Sequence, residues 1–274
     1  MILGVLGRAQ HLHPVQVYGF IFLSNHYHML LSAKDPRQLV AFMCYVNSNI
    51  AREVNRLRGR SGALWHRRYR PIAVSEEDRA QVGRLRYLLS NGCKEGLVAR
   101  PEQWPGVSAL PWLFSGRKLG GTWRDRKAAC RDGRRKLGAK GWAAYETRYE
   151  INLSALPCWA EEPAHVWRRE VAELVESVAN EAAAQAIRTG RGVLGAAAVL
   201  QQLPQSLPKR SSRRPAPRFH AATRAVYETM AAESRAFLSA YRVASKRFRA
   251  GEWDVVFPAW AFPPGRPMSC GPPE

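Results

Sequence analysis

The sequence predicts an α/β chain: an antiparallel sheet with helices packed on one side, followed by a mostly α-helical extension. Three observations carry this. Val15 to Phe22 (VQVYGFIF) and His26 to Ser32 (HYHMLLS) are rich in β-branched and aromatic residues, with Ser24-Asn25 as turn chemistry between them, so they read as a hairpin. Leu39, Phe42, Met43, Val46, Ile50, Val54 and Leu57 recur at helical spacing. The C-terminal part has helical patterns over 164–188, 193–202 and 219–249 and no strong strand pattern.

Taken in order, Met1 to Arg8 is short and apolar and reads as the end of a helix. The hairpin follows. Asp35 is an N-cap and Pro36 suits the first helical position, so a helix starts there. Its polar face carries Asn47, Asn49, Arg52, Asn55 and Arg56, and Gly59 to Gly62 break it. Leu64 to Val74 (LWHRRYRPIAV) has strand character with a basic centre. Ser75 caps the next helix, with Glu76, Glu77 and Asp78 in its first turn, where the helix dipole favours acids. That helix is expected to stop at Asn91-Gly92. Trp104-Pro105-Gly106 opens an irregular stretch, charge-rich and glycine-punctuated to about Lys140. Leu203 to Arg218 is a basic linker rich in proline and serine, and Pro263, Pro264, Pro267, Pro272 and Pro273 mark a loose tail. The resulting division is a core over 1–115, a basic helical extension over 116–202, the linker over 203–218, and a C-terminal amphipathic helix and tail over 219–274. The amphipathic helix is expected to pack on the core.

Charge narrows the function. The 274 residues carry 42 Lys and Arg against 22 Asp and Glu, a formal net charge of +20. The excess is spread over both halves of the chain. A field of that sign attracts polyanions, nucleic acid above all, and exceeds the roughly 2–8 charges that solubility asks of a small domain. No apolar run reaches the ~18 residues of a membrane span, and no signal peptide is evident. Five scattered cysteines without a C-x-x-C argue against a disulfide framework or a cysteine zinc site. A cytoplasmic chain is expected.

Two constellations could carry chemistry. In His26-Tyr27-His28, strand alternation puts both imidazoles on one face, as two ligands of one metal ion require. The spacing alone is weak, because His11 and His13 share it; those two sit in a polar connection and read as solvated. His26 and His28 lie instead between apolar strand segments, where burying imidazole needs a reason. Further on, Tyr87 and Asn91 are four apart and share a helix face.

Several stretches in order carry a resemblance: LSNHYHMLL, the Asp-Pro-capped helix with Phe42, Met43, Val46 and Asn47, GALWHRRYRPIAV, and LRYLLSNGCKEGLVARPEQWPGVSAL. Over about residues 1–112 the chain resembles the single-tyrosine HUH transposases, in particular the REP-associated tyrosine transposases. The resemblance implies an HUH-type antiparallel sheet. It implies a divalent cation, Mg²⁺ or Mn²⁺, on His26, His28 and Asn91, and Tyr87 as the nucleophile that forms a 5′-phosphotyrosine. The partner implied is single-stranded or hairpin DNA; a homodimer is compatible with the sequence. Two departures stand out. The family has a strand and helix ahead of the hairpin, whereas this sequence starts near the end of that helix, so an open sheet edge is expected. The family's frequent Asn-Pro after the tyrosine is Asn91-Gly92 here.

The DNA track expected from the residues is Trp65, Arg67, Arg68, Tyr69 and Arg70, where arginines neutralise phosphates and aromatics stack on unpaired bases. Arg52 and Arg56 on the preceding helix, and Arg84, Arg86 and Lys94 around the tyrosine, extend it. Glu95 reads as a surface ion-pair partner, and no spacing ties His66 to the histidine pair. Lys209, Arg210, Arg213 and Arg214 in the linker are a candidate phosphate-grabbing arm. The expected function is therefore metal-dependent cleavage and rejoining of single-stranded DNA. The alternative is a catalytically inactive transposase derivative that binds nucleic acid through its basic surface.

Overall fold

The computed structural model describes residues 1–133, 137–203 and 217–265. The four linker cations and Pro267, Pro272 and Pro273 lie outside the described residues. Helix α1 (Ile2–Leu12) leads into the hairpin β1 (Gln16–Phe22) and β2 (Tyr27–Ser32). Antiparallel pairing sets Phe22 opposite Tyr27 and Ile21 opposite His28. Helix α2 (Pro36–Leu57) begins as its cap predicts, with Asp35 Oδ1 accepting from the Gln38 N–H at 2.8 Å. The short strand β3 (Ala73–Val74) precedes α3 (Asp78–Lys94).

Leu64 to Val74 forms a strand only at its last two residues. Pro71 has no N–H to give a ladder, and the exposed arginines keep this backbone at the surface. The stretch is anchored by side chains instead: Trp65 Nε1 donates to the Asn47 carbonyl at 2.9 Å, and its ring meets Tyr27 at 5.5 Å. The N-cap of α3 is Glu77, not Ser75, whose hydroxyl donates to the Glu77 carboxylate. Nor does α3 stop at Gly92. A Cβ there would lie 3.0 Å from Val98 and 3.2 Å from Trp104, so glycine serves close packing, and Gly96 at φ +68° makes the left-handed stop.

The chain continues through α4 (Leu110–Ser115), β4 (Leu119–Arg124), α5 (Arg126–Arg131), α6 (Ala139–Trp142) and β5 (Glu146–Ile151). Strands β4 and β5 pair antiparallel, and β4 lies in the stretch expected to be irregular. They lie directly on α1: a Cβ on Gly4 would stand 2.3 Å from the Thr122 carbonyl oxygen, and one on Gly7 2.7 Å from Tyr149 Cβ. Gln10 locks this contact. Its Nε2 donates to the Asn152 carbonyl at 2.8 Å and its Oε1 accepts from the Asn152 N–H at 2.8 Å.

The outer edge of β1 is not open. Phe22 N–H donates to the Val107 carbonyl, while the Phe20 and Val17 carbonyls accept from Ala109 and Ser154. Two later segments thus supply the hydrogen bonds of the strand whose absence was expected to leave an edge.

Helix α7 (Ala164–Thr189) packs on α3 and α4, and α8 (Ala196–Gln201) follows. One hydrophobic cluster runs from Val5 through Phe20, Phe42, Leu85 and Val175 to Val199, so the extension shares the core of the hairpin and α3. The final elements are β6 (Phe219–His220), parallel to β3, and α9 (Arg224–Arg249), which starts five residues later than the pattern predicts because Phe219 and His220 are in the strand. Most of α9 faces outward, contrary to expectation: Tyr227, Phe237, Leu238 and Val243 are exposed. Its buried residues are Ala244, Ser245 and Phe248, and Phe248 packs against Trp253 and Phe257 of the segment that follows. No helix among the described residues is long and apolar enough to cross a membrane.

Candidate functional site

The hairpin turn and the middle of α3 meet at one place. Alternation along β2 turns Tyr27 inward, where its ring stacks on Phe22 at 4.9 Å and its hydroxyl donates to Asn47 Oδ1 at 2.7 Å. His26 and His28 take the other face, with ring centroids 5.0 Å apart and edge to face. The His28 ring then meets the Tyr87 ring at 5.4 Å, also edge to face. Residues from two separate sequence motifs thus share one site.

Cations frame the tyrosine. The Arg84 guanidinium lies 5.2 Å from the Tyr87 ring centre and Lys94 Nζ lies 4.7 Å from it. Both belong to α3. Lys94 is also 3.7 Å from Glu95, the ion pair the sequence suggests. Desolvation, then the neighbouring His26 and Lys94, push the His28 pKa down to about 4. The His26 pKa is lowered by desolvation and by Lys94, against the opposing pull of Glu95. His26 is the more accessible of the two, and its Nδ1 lies 2.6 Å from Asn25 Oδ1.

Asn91 is buried one turn beyond Tyr87, and its Nδ2 donates to the carbonyls of Tyr87 and Leu88. The amide nitrogen being committed to the helix, the side-chain donor left for a cation is Oδ1. Two imidazoles stand together at the site, and imidazole nitrogen with amide oxygen are donor types that a divalent cation takes; the hydrogen bonds of Asn91 itself are to its own helix. Among the described residues no group of three His, Cys, Asp or Glu assembles.

The expected DNA residues divide into three sets. Arg84 and Lys94 are at the tyrosine. Arg67, Arg68 and Arg70 are exposed on the loop after α2, where Trp65 and Tyr69 are half-buried anchors. Burial raises the Tyr69 pKa, as it does for a ring packed on the fold. Arg52, Arg56 and Arg86 engage side chains of the protein. Arg52 lies 3.5 Å from Asn49 Oδ1, Arg56 pairs with Glu53 at 2.9 Å, and Arg86 reaches across to Glu181 on α7 at 2.9 Å.

One residue at the site carries no sequence signal. His220 arrives on β6, and Arg84 Nη1 lies 3.2 Å from its Nε2. A guanidinium has no acceptor, so Arg84 donates and His220 is the neutral tautomer with Nε2 unprotonated. The backbone around it is tied to the start of α3: Ser75 N–H donates to the His220 carbonyl, and Glu77 accepts from Ala222 N–H and from the Thr223 hydroxyl. Compared with models of protein families, with curated proteins and with solved structures, the chain matches none.

Proposed function

We propose that the chain cleaves and rejoins single-stranded DNA, at hairpins, through a 5′-phosphotyrosine on Tyr87, as a transposase-like enzyme with an HUH-type site. The observation that supports this most is the approach of the His28 and Tyr87 rings to 5.4 Å from distant parts of the sequence. A histidine pair beside a lone tyrosine, flanked by two cations in a strongly basic chain, has the parts that phosphodiester transfer needs.

His26, His28 and Asn91 would hold the divalent ion, which when bound polarises the scissile phosphodiester. Tyr87 Oη attacks phosphorus in line. The bond to the 3′ oxygen breaks, the phenolic proton ends on that oxygen, and the strand keeps its 5′ phosphate on Tyr87. Because the phosphotyrosine ester preserves the energy of the broken bond, attack by a 3′-hydroxyl reseals DNA and frees the phenol. Arg84 and Lys94 stand where they can draw phosphate oxygens to the tyrosine and stabilise charge on its oxygen. The loop with Arg67 and Arg68 lets the strand approach through backbone charge.

The second reading, a non-catalytic nucleic-acid binder, is favoured by the exposed Arg67 and Arg68, which can meet phosphate without any metal. One experiment separates the two. A labelled single-stranded or hairpin oligonucleotide incubated with Mn²⁺ should yield an adduct stable to denaturing gel electrophoresis. Tyr87→Phe should lose the adduct and keep DNA affinity, since only a hydroxyl is removed. A wild-type chain that binds but never forms an adduct supports the binder; cleavage that persists in Tyr87→Phe points to water as the nucleophile.

A further inference from the structure

Arg84 is the cation nearest the start of the tyrosine's helix turn, and a long side chain on a helix surface has many rotamers of similar energy. Holding one of them over the Tyr87 ring takes a partner. The acids that cap α3 do not supply it: Glu77 accepts from Ser75, Ala222 and Thr223, and Glu95 pairs with Lys94. The partner is His220, with Nε2 3.2 Å from Arg84 Nη1. Burial lowers the pKa of His220, and the adjacent guanidinium lowers it further, so the ring remains an acceptor.

His220 is itself held by backbone. Phe219 and His220 pair with Ala73 and Val74, and the Ser75 N–H donates to the His220 carbonyl at 2.8 Å. The Glu77 carboxylate, at the N-cap of the same helix that bears Tyr87, takes Ala222 N–H and the Thr223 hydroxyl at 2.7 Å each. Thr223 in turn caps α9. The strap that begins the C-terminal helix is therefore fixed to the first turns of α3 at several points, with its one imidazole facing Arg84.

We propose that His220 is a positioning residue for Tyr87: it accepts a hydrogen bond from Arg84 and thereby keeps the guanidinium over the phenol ring. This rests on the reading of Tyr87 as the nucleophile for its catalytic meaning, but the coupling itself exists in the free protein. The C-terminal segment thus completes a site whose other parts lie within the first hundred residues. Loss of the imidazole acceptor releases Arg84 to solvent; an acceptor at the same reach retains it.

The test uses the full chain with 3-fluorotyrosine at position 87 and no DNA. At neutral pH the ¹⁹F resonance of the ring should move in His220→Ala, because the guanidinium over it is no longer held. In His220→Gln, whose Oε1 can accept in place of Nε2, it should stay at the wild-type position. An unchanged resonance in His220→Ala overturns the proposal. So does a displacement that His220→Gln fails to correct, which would assign the effect to docking of the strap in general. In the DNA assay, His220→Ala should slow single-turnover adduct formation, by less than the roughly hundredfold that removal of a whole donor costs, and His220→Gln should restore it. A wild-type chain that forms no adduct removes the phosphotyrosine reading and leaves the resonance to decide the positioning.

Discussion

At the scale of single residues, His28 is the most constrained group in the site. Unfolded, it takes up a proton near pH 6.5; folded, with its ring against His26 and Tyr87, only near 4. Between those values the unfolded chain binds more protons, so folding stability falls as pH drops from about 7 toward 4 and is level above it. His28→Gln, which cannot take up the proton, should flatten this loss. Urea unfolding midpoints of both proteins at pH 7 and pH 5 measure it, and equal losses would assign the effect to other groups. Single residues are most legible in a sequence where one side-chain type has few uses. The H-x-H on a strand and the tyrosine four residues before an asparagine are local patterns, and their rings do converge. Arg86 is next to the tyrosine in sequence only: on a helix, the two-residue separation of Arg84 and Arg86 turns them to different sides, and Arg86 reaches α7. His220 could not be found, because nothing in a two-residue strand records which distant backbone it will join.

Among elements, the contact of α1 with the β4–β5 hairpin and the open space beside Gly83 in α3 make opposite predictions for the same substitution. Gly4→Ala drives a methyl into the Thr122 carbonyl, where backbone and not a flexible side chain must yield. It should destabilise by about 1–3 kcal/mol. Gly83 lies inside α3 with nothing within 4 Å of an added Cβ, so Gly83→Ala should stabilise by up to about 1 kcal/mol. Thermal denaturation of the two variants decides both, and a Gly4→Ala protein as stable as wild type would disprove the close packing. The same glycines explain which elements were legible. The first hairpin, α2 and α7 announce themselves by periodicity and caps. Strand β4 (LGGTWR) does not, since Gly120 and Gly121 have low strand propensity and are tolerated because α1 and β5 approach closely there. Helix α3 ran past Gly92 for a related reason: a glycine needed for packing on Trp104 looks, in sequence, like a helix stop.

For the whole molecule, the net charge of +20 sets the salt dependence of the proposed binding to DNA. Affinity for a single strand should fall with salt, at a slope of roughly 0.7 per neutralised phosphate. Replacing Arg67 and Arg68 together by alanine should reduce that slope by up to about 1.4, while Arg86→Ala, already paired with Glu181, should leave it unchanged. Titrations of a labelled oligonucleotide between low and moderate salt give the slopes, and an unaltered slope in the double variant would exclude that loop from the path of the strand. The reciprocal clasp between Gln10 and Asn152 has a consequence of another kind, for the order in which the chain can fold. These partners are 142 residues apart. At about 5–20 residues per second, a ribosome takes roughly seven to thirty seconds to deliver the second after the first. Throughout that interval Val5, Leu6 and Ala9, buried in the finished protein, have no hairpin to lie against. Helix α1 can rest on α2 early but waits for β4 and β5 to be covered, which leaves apolar surface to be shielded on the nascent chain in the meantime.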